Sequence, residues 1–313
     1  MKPLSIAIAG LGKIARDQHV PVIAADRRFK LAGIVSTSGQ TVEGVPTFGS
    51  LAALFAALPG LDAVALCTPP SVRHDWARQT IAAGKHVLLE KPPAGTLGEA
   101  EDLIGAASAK GVSLFATWHS RFNAGVQEVK RRLEGRRIRA LRIDWKEDVR
   151  RWHPGQDWVF ARGGFGVFDP GINALSILTH IMPGPVFVAA ADLTTPVNRQ
   201  TPIAATLTLA SPAATPDGTL TAEFDWRQQG GEIWTIAIET EGGERLTLTH
   251  GGAKLLIDDK PTLEEAPAEY AGIYRRFAAL IDARASDADL SPLRIVADAA
   301  LVGRHHAADA FDW

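Results

Sequence analysis

The chain has 313 residues, about twice a common domain size, which excludes a peptide hormone, a disulfide knot and a fibre and predicts two domains, each with its own core. Hydrophobic residues make up 46% and charged ones 22%, as in a folded chain, and 33 Lys and Arg against 35 Asp and Glu leave a charge of -2, too weak a positive field for a nucleic-acid partner. The single cysteine, Cys67, closes no intramolecular bridge and fits a reducing compartment, while eight Trp stand against two Tyr, an excess of rings that stack on flat apolar faces but are also simply large core residues.

The first apolar run, 4–9, follows Lys2 and ends in Ala7-Ile8-Ala9, so it imitates a secretory signal. It passes at once into a glycine turn and then Lys13, Arg16 and Asp17, as a buried strand entering a helix does. No other apolar run reaches the roughly 18 to 20 residues that cross a bilayer, so a soluble, cytoplasmic protein with no membrane partner is expected. Up to 117, apolar runs at 4–9, 31–35, 63–67, 86–90 and 112–117 alternate with helical patterns. Ser50 opens one helix that Pro59-Gly60 closes, Gly84 ends the next, and Thr96-Leu97-Gly98-Glu99 is a capping box. This is an α/β domain, 1–120, with a doubly wound parallel sheet.

The rhythm changes in 121–313, an α+β domain. A helix at 124–134 leads to the run 138–147; after a helix at 170–180 come extended stretches at 203–209, 220–226, 233–239 and 246–249, which predict a mainly antiparallel, open-faced sheet. Residues 211–218 read as a surface hairpin loop, and helices at 270–283 and 293–308 close the chain, the last expected to pack back on the first domain. His305-His306 falls on that solvated last helix.

Gly10-Leu11-Gly12-Lys13-Ile14-Ala15 matches G-x-G-x-x-G/A directly after the first strand, where the glycines make the tight turn and let a pyrophosphate approach the backbone. The free N–H groups and dipole of the following helix hold the phosphate charge. After the second strand an acid would accept the ribose hydroxyls of NAD, but the chain reads Ser36-Thr37-Ser38-Gly39-Gln40. With Arg16 nearby, these hydroxyls favour NADP with NAD tolerated; the competing reading is plain loop residues.

Glu90-Lys91-Pro92 at the end of a parallel strand, with Gly10-x-Gly12 and the stretch from Gly163-Gly164-Phe165-Gly166 through Asp169-Pro170 to Asn173, resembles the Gfo/Idh/MocA family of sugar and cyclitol oxidoreductases. The resemblance spans nearly the whole chain. It implies an N-terminal Rossmann domain, a C-terminal substrate domain bearing the sheet, and, by family habit together with the open sheet face, a homodimer. Stretches 12–19, 145–156 and 168–176 are similar to the family's aldose 1-dehydrogenases, which implies oxidation of D-galactose or L-arabinose at C1 to the lactone with hydride transfer to NAD(P). On the cofactor side it implies Gly10, Gly12, Lys13 and Ile14 of the turn and Ser36, Thr37 and Ser38 of the second loop. It adds Cys67, Thr68, Pro69 and Pro70 after the third run, His74, and Glu90 with Lys91. Rival readings are another sugar or cyclitol dehydrogenase of the family and a non-catalytic sugar sensor.

Many members carry a histidine where this chain has Asn173, and an amide is no base near neutral pH. Asp169, before Pro170, reads either as a helix N-cap or as the acceptor of the sugar O1 proton, and both readings are compatible. We expect Asp169 as the base with Lys91 as its electrostatic partner, the reverse assignment staying open. Glu147 is in phase with Leu141, Ile143 and Trp145, so it extends an apolar sheet face and, with Asn173, suits sugar hydroxyls; if the strand has already ended there, it is only an exposed acid. His119 and His153 are further substrate candidates, raised only by the resemblance, and no pair of histidines has a metal-ligand spacing. Trp152 and Trp234 are expected to pack on the sugar, Trp145 to be core, and Trp76 and Trp313 to lie apart from the site.

Overall fold

The computed structural model describes residues 2–266 and 268–313. β1 (Leu4–Ala9) buries its last four residues, as a strand covered on both faces does. The chain turns at Gly10, runs through a π-helical turn at Ala15–His19 into α1 (Val20–Ala25), and returns as β2 (Phe29–Val35) and the short β3 (Thr47–Phe48). Ser50 caps α2 (Leu51–Ala57) by accepting the Ala53 N–H, and β4 (Ala63–Leu66), α3 (Pro70–Ala82) and β5 (His86–Leu89) follow. Thr96 and Glu99 close the capping box of α4 (Leu97–Lys110), which leads to β6 (Leu114–Ala116). The six strands are parallel in the order β3-β2-β1-β4-β5-β6, so the order reverses between β1 and β4, where open α/β sheets bind ligands at the carboxyl ends of their strands.

Next come α5 (Ala124–Leu133), β7 (Ile138–Lys146), the single turn α6 (Val149–Trp152) and α7 (Phe168–Ile181). Strands β8 (Phe187–Pro196), β9 (Ala204–Ala210), β10 (Ala214–Asp225), β11 (Ile233–Thr240), β12 (Arg245–Thr249), β13 (Lys254–Ile257) and β14 (Lys260–Glu264) precede α8 (Glu269–Ala283), α9 (Ser291–Val302) and β15 (Arg304–Ala308). Among the described residues nine strands form one sheet, β14-β13-β12-β11-β7-β10-β9-β8-β15, antiparallel except where β10 meets β7 and β15 meets β8. Leu141, Ile143, Leu207, Leu220, Phe224 and Ile236 are buried on one face, and Gly171 lets α7 lie on the Phe224 ring, where a Cβ would come within 2.8 Å. The opposite face is polar, with Arg142 paired to Asp144 at 2.6 Å and Lys146 to Glu223 at 2.7 Å.

Three details depart from the sequence pattern. The loop expected at 211–218 is shorter, because β10 already starts at Ala214 and absorbs a register shift before Thr219. The helix expected at 293–308 stops at Val302; a Cβ on Gly303 would sit 2.5 Å from the Ala299 oxygen, and the chain continues as β15 to satisfy the exposed backbone edge of β8. His306 therefore stands on a strand, 2.7 Å from Asp192. Asp169 is not the cap of α7, whose N-cap is Val167, but sits inside its first turn.

The chain divides into two compact units, one running to His119 and taking in Glu269–Leu290, the other comprising Ser120–Ala268 and Ser291–Trp313. α8 thus belongs to the first unit, while α9, the last helix, packs on α7 and β8 in the second. Among the described residues no helix is long and apolar enough to cross a membrane.

Candidate active site

In the first unit the glycine turn fits a dinucleotide. Gly10 has φ +90°, and a Cβ there would lie 2.9 Å from Thr68 N and 3.0 Å from the Cys67 carbonyl carbon, so only glycine lets the turn cross the end of β4. A Cβ on Gly12 would meet nothing within 4 Å among the described residues, which leaves the helix start open to an approaching phosphate. Thr68 Oγ1, beside that turn, is buried with no hydrogen-bond partner among the described residues. Cys67, Thr68, Pro69 and Pro70 make the passage from β4 into α3. In the next loop Ser36 Oγ lies 3.2 Å from Ser38 Oγ and accepts Gln40 N–H at 3.1 Å, and Arg16 donates to Gln40 Oε1 at 2.9 Å. Thr37 lies exposed between the two serines. Lys13 is paired with Asp17, one turn along, and Ile14 is exposed. His74 is bonded to Asp102 of α4 at 2.8 Å, a surface pairing for the residue expected on the cofactor.

At the end of β5 the peptide bond from Lys91 to Pro92 is cis, and Arg73 donates to the carbonyl oxygens of Thr68, Glu90 and Pro92, joining the ends of β4 and β5. Glu90 is buried beneath Lys91. It accepts the Lys91 N–H at 2.9 Å, the Tyr270 hydroxyl at 2.9 Å and His19 Nε2 at 2.9 Å, and His19 Nδ1 reaches the Tyr274 oxygen at 2.8 Å. Burial by itself would raise the Glu90 carboxyl, but the His19 hydrogen bond and charge outweigh it and hold it at about 2. Burial would likewise lower His19, yet the neighbouring Cys67, Tyr274 and Glu90 hold it well above its ordinary value. The two form an ion pair. His119 is bound at Nδ1 to Glu269 Oε2 at 3.1 Å and stacks on Tyr270 at 5.6 Å. Against the opposing effect of burial, Glu269 and Glu90 raise its pKa. His19, Tyr270 and Tyr274 escaped the sequence reading; their signal was that the chain's only two tyrosines stand four apart, on one face of a helix.

In the second unit Glu147 follows directly on β7 and is buried as the period-two pattern implies. It accepts the indole N–H of Trp234 at 3.0 Å and of Trp226 at 3.3 Å. Burial pushes its carboxyl up to about 7, with His153 and the two indoles opposing and Asp169 adding to the rise. His153 Nε2 lies 3.2 Å from Asp169 Oδ2, so the two candidates form a pair, and Asp169 is itself buried. His153 packs against Trp226 at 5.6 Å and edge-on to Trp158 at 6.1 Å, and its Nδ1 is 3.4 Å from Gln156 Oε1, which also accepts Trp158 Nε1. Trp234 stacks on buried Trp145 at 5.8 Å and meets half-buried Trp152 at a tilt at 5.5 Å. Trp234 thus serves Glu147 through its N–H and supports Trp152 through its ring. Asn173 is half-buried one turn beyond Asp169. Trp313, expected to lie apart, donates to Asp157 at 2.7 Å, next to Gln156 and Trp158. The arrangement offers hydroxyl-binding carboxylates, one of them backed by an imidazole, beside indole faces.

Residues 4–117 match the family described as "Oxidoreductase family, NAD-binding Rossmann fold", GFO_IDH_MocA. The chain is 44% identical over 311 residues to galactose 1-dehydrogenase of Pseudomonas fluorescens, covering 99% of each. It superposes with a TM-score of 0.93 on the crystal structure of D-galactose-1-dehydrogenase from Rhizobium etli, 49% identical, covering 100% of this chain and 99% of that one. KijD10, a 3-ketoreductase from Actinomadura kijaniata solved with NADP and TDP-benzene, shares the fold at a TM-score of 0.82 and 18% identity, covering 98% of this chain and 99% of that one. With a glycine turn open to a dinucleotide and a full-length relative at 44% identity, the chain belongs to the Gfo/Idh/MocA oxidoreductase family.

Proposed function

We propose that this oxidoreductase removes hydride from C1 of an aldopyranose, D-galactose or L-arabinose, and releases the aldonolactone. The observation that carries the reading is the buried Asp169 carboxylate with His153 at 3.2 Å: a proton acceptor with an imidazole behind it, in a region walled by indoles. The full-length similarity to galactose 1-dehydrogenases supports the sugar. D-Galactose and L-arabinose pyranoses share the configuration at C2, C3 and C4, so a site reading only those hydroxyls accepts both.

Gly10, Gly12, Ser36 and Ser38 would hold the dinucleotide, whose nicotinamide, when bound, supplies the acceptor for the hydride. Asp169 takes the O1 proton, His153 Nε2 at 3.2 Å orients its carboxyl group, and Lys91 contributes positive charge at the carboxyl end of β5. Glu147 and Asn173 bind ring hydroxyls as acceptor and donor, with Trp152 as the apolar face. The acid-free loop at Ser36, linked by Gln40 to Arg16, supports NADP over NAD, because a carboxylate there would repel a 2′-phosphate. A homodimer through the polar sheet face and a reducing cytoplasm complete the reading, to be checked by sedimentation and by localising a tagged chain.

The test is growth of the reduced-nicotinamide absorbance with NADP or NAD over an aldose panel. Turnover of galactose and arabinose, with Asp169→Ala and Lys91→Ala each falling by about 10²-fold or more, is the expected result. Near wild-type turnover in both variants would sink the mechanism; no reduction with any aldose would sink the substrate.

A further inference from the structure

We infer that Arg199 is a positioning residue for the sugar side, locking the loop that carries His153, Gln156 and Trp158 from its outer surface. The inference rests on the substrate reading above. Three segments of the second unit meet on this side chain, which is mostly buried at 15% exposure. Arg199 donates from one guanidinium nitrogen to Asp157 Oδ1 at 2.8 Å and from Nε to the Phe311 oxygen at 3.0 Å. Its guanidinium also lies over the rings of Phe160 at 5.3 Å and of Phe311 and Trp313 at 6.0 Å. Trp313 Nε1 donates to the same Asp157 oxygen at 2.7 Å, and Asn198 exchanges hydrogen bonds with the Phe311 backbone on both sides. Asp157, itself exposed, is held below its ordinary value by the Trp313 and Arg199 hydrogen bonds.

Locking Asp157 and Phe160 transmits inward because the single turn Asp157–Phe160 is hydrogen-bonded to the segments on its inner side. Val159 N–H donates to the Gln156 oxygen at 3.2 Å, and Gly166 N–H and Thr201 Oγ1 both bind the Val159 oxygen. On the inner side Gln156 holds His153 and Trp158, and Phe160 meets Trp226 edge-on at 5.3 Å. Trp226 in turn carries Glu147 and flanks His153. A guanidinium suits this place because its planar fork donates in two directions while its face stacks on rings, which an ammonium cannot do.

Arg199→Ala, Arg199→Lys and Trp313→Phe should be compared with the wild type by steady-state kinetics and by amide hydrogen exchange. In Arg199→Ala the KM for sugar rises about tenfold with the KM for cofactor unchanged, well short of the ~10²-fold loss that follows from misplacing the reacting groups themselves. Exchange at 156–160 speeds by about tenfold relative to β7 and β10. Arg199→Lys recovers part of the sugar KM by keeping a cation beside Asp157, and Trp313→Phe, which keeps the ring and loses the N–H, raises it about twofold. A sugar KM that stays at the wild-type value overturns the inference, as does a uniform rise in exchange with both KM values moving together. If the wild type oxidises no aldose, the substrate reading fails by itself and the exchange at 156–160 still decides the lock. If Arg199→Ala does not fold, the Lys and Phe variants carry the same test.

Discussion

Glu90 and Glu147 are both buried carboxylates, exposed by only 3% and 4%, each accepting aromatic hydrogen-bond donors, yet Glu90 is held at about 2 and Glu147 is pushed up to about 7. The difference is the charge in contact. Glu90 has an imidazolium at 2.9 Å with a tyrosine hydroxyl beside it, whereas Glu147 is bonded to two neutral indoles, interacts with His153 through charge alone, and has a second carboxylate, Asp169, nearby. Burial penalises both; only a directly bonded cation reverses the penalty. The first unit thus holds a structural ion pair beneath Lys91, and the second holds an acid poised near neutrality beside the sugar-binding candidates.

The largest break in that comparison is Glu90→Gln, which strands the buried His19 and should cost roughly 3–5 kcal/mol in denaturant unfolding near pH 6. The depressed Glu90 contributes stability above its ordinary 4.5, lost as pH falls towards 2; the raised His19 contributes below 6.5, lost as pH rises through its elevated value. The gap between variant and wild type is therefore widest from 4.5 to 6.5 and narrows in acid. A gap independent of pH would show that Glu90 is not ionised.

Glu147→Gln should act with the opposite sign. A carboxyl raised from 4.5 to about 7 binds its proton more tightly in the folded chain, so stability is full below 4.5 and falls as pH rises through 7, by about 3 kcal/mol at most. With about 1 kcal/mol lost from one indole hydrogen bond, the variant gains up to about 2 kcal/mol at pH 8 and nothing at pH 4, while its KM for sugar rises. Stabilisation at pH 4 would contradict the assignment. The smallest effect is Trp152→Ala, a several-fold rise in sugar KM from a lost stacking face of about 1 kcal/mol, with the cofactor KM unchanged. An equal rise in both KM values would remove Trp152 from the sugar side.

Much of this was written locally. The glycine turn, the Ser50 cap and the Thr96–Glu99 box fall where short-range preferences put them, and the phase of Glu147 with Leu141 and Ile143 foretold its burial. β15 was not legible, because its fully exposed beginning has no period-two signal and it is a strand only through the β8 edge beside it. The sequence by itself determined the parallel sheet, the dinucleotide turn and the residue types that could do the chemistry, since hydrophobic period and turn chemistry act over a few residues. Tertiary structure alone decided which of them meet: Tyr270 with Glu90 across 180 positions, Trp234 with Glu147 across 87, His19 with Tyr274 across 255. It therefore also decided their charge, because the partner in direct contact, and not the residue type, sets whether a buried carboxyl keeps its proton.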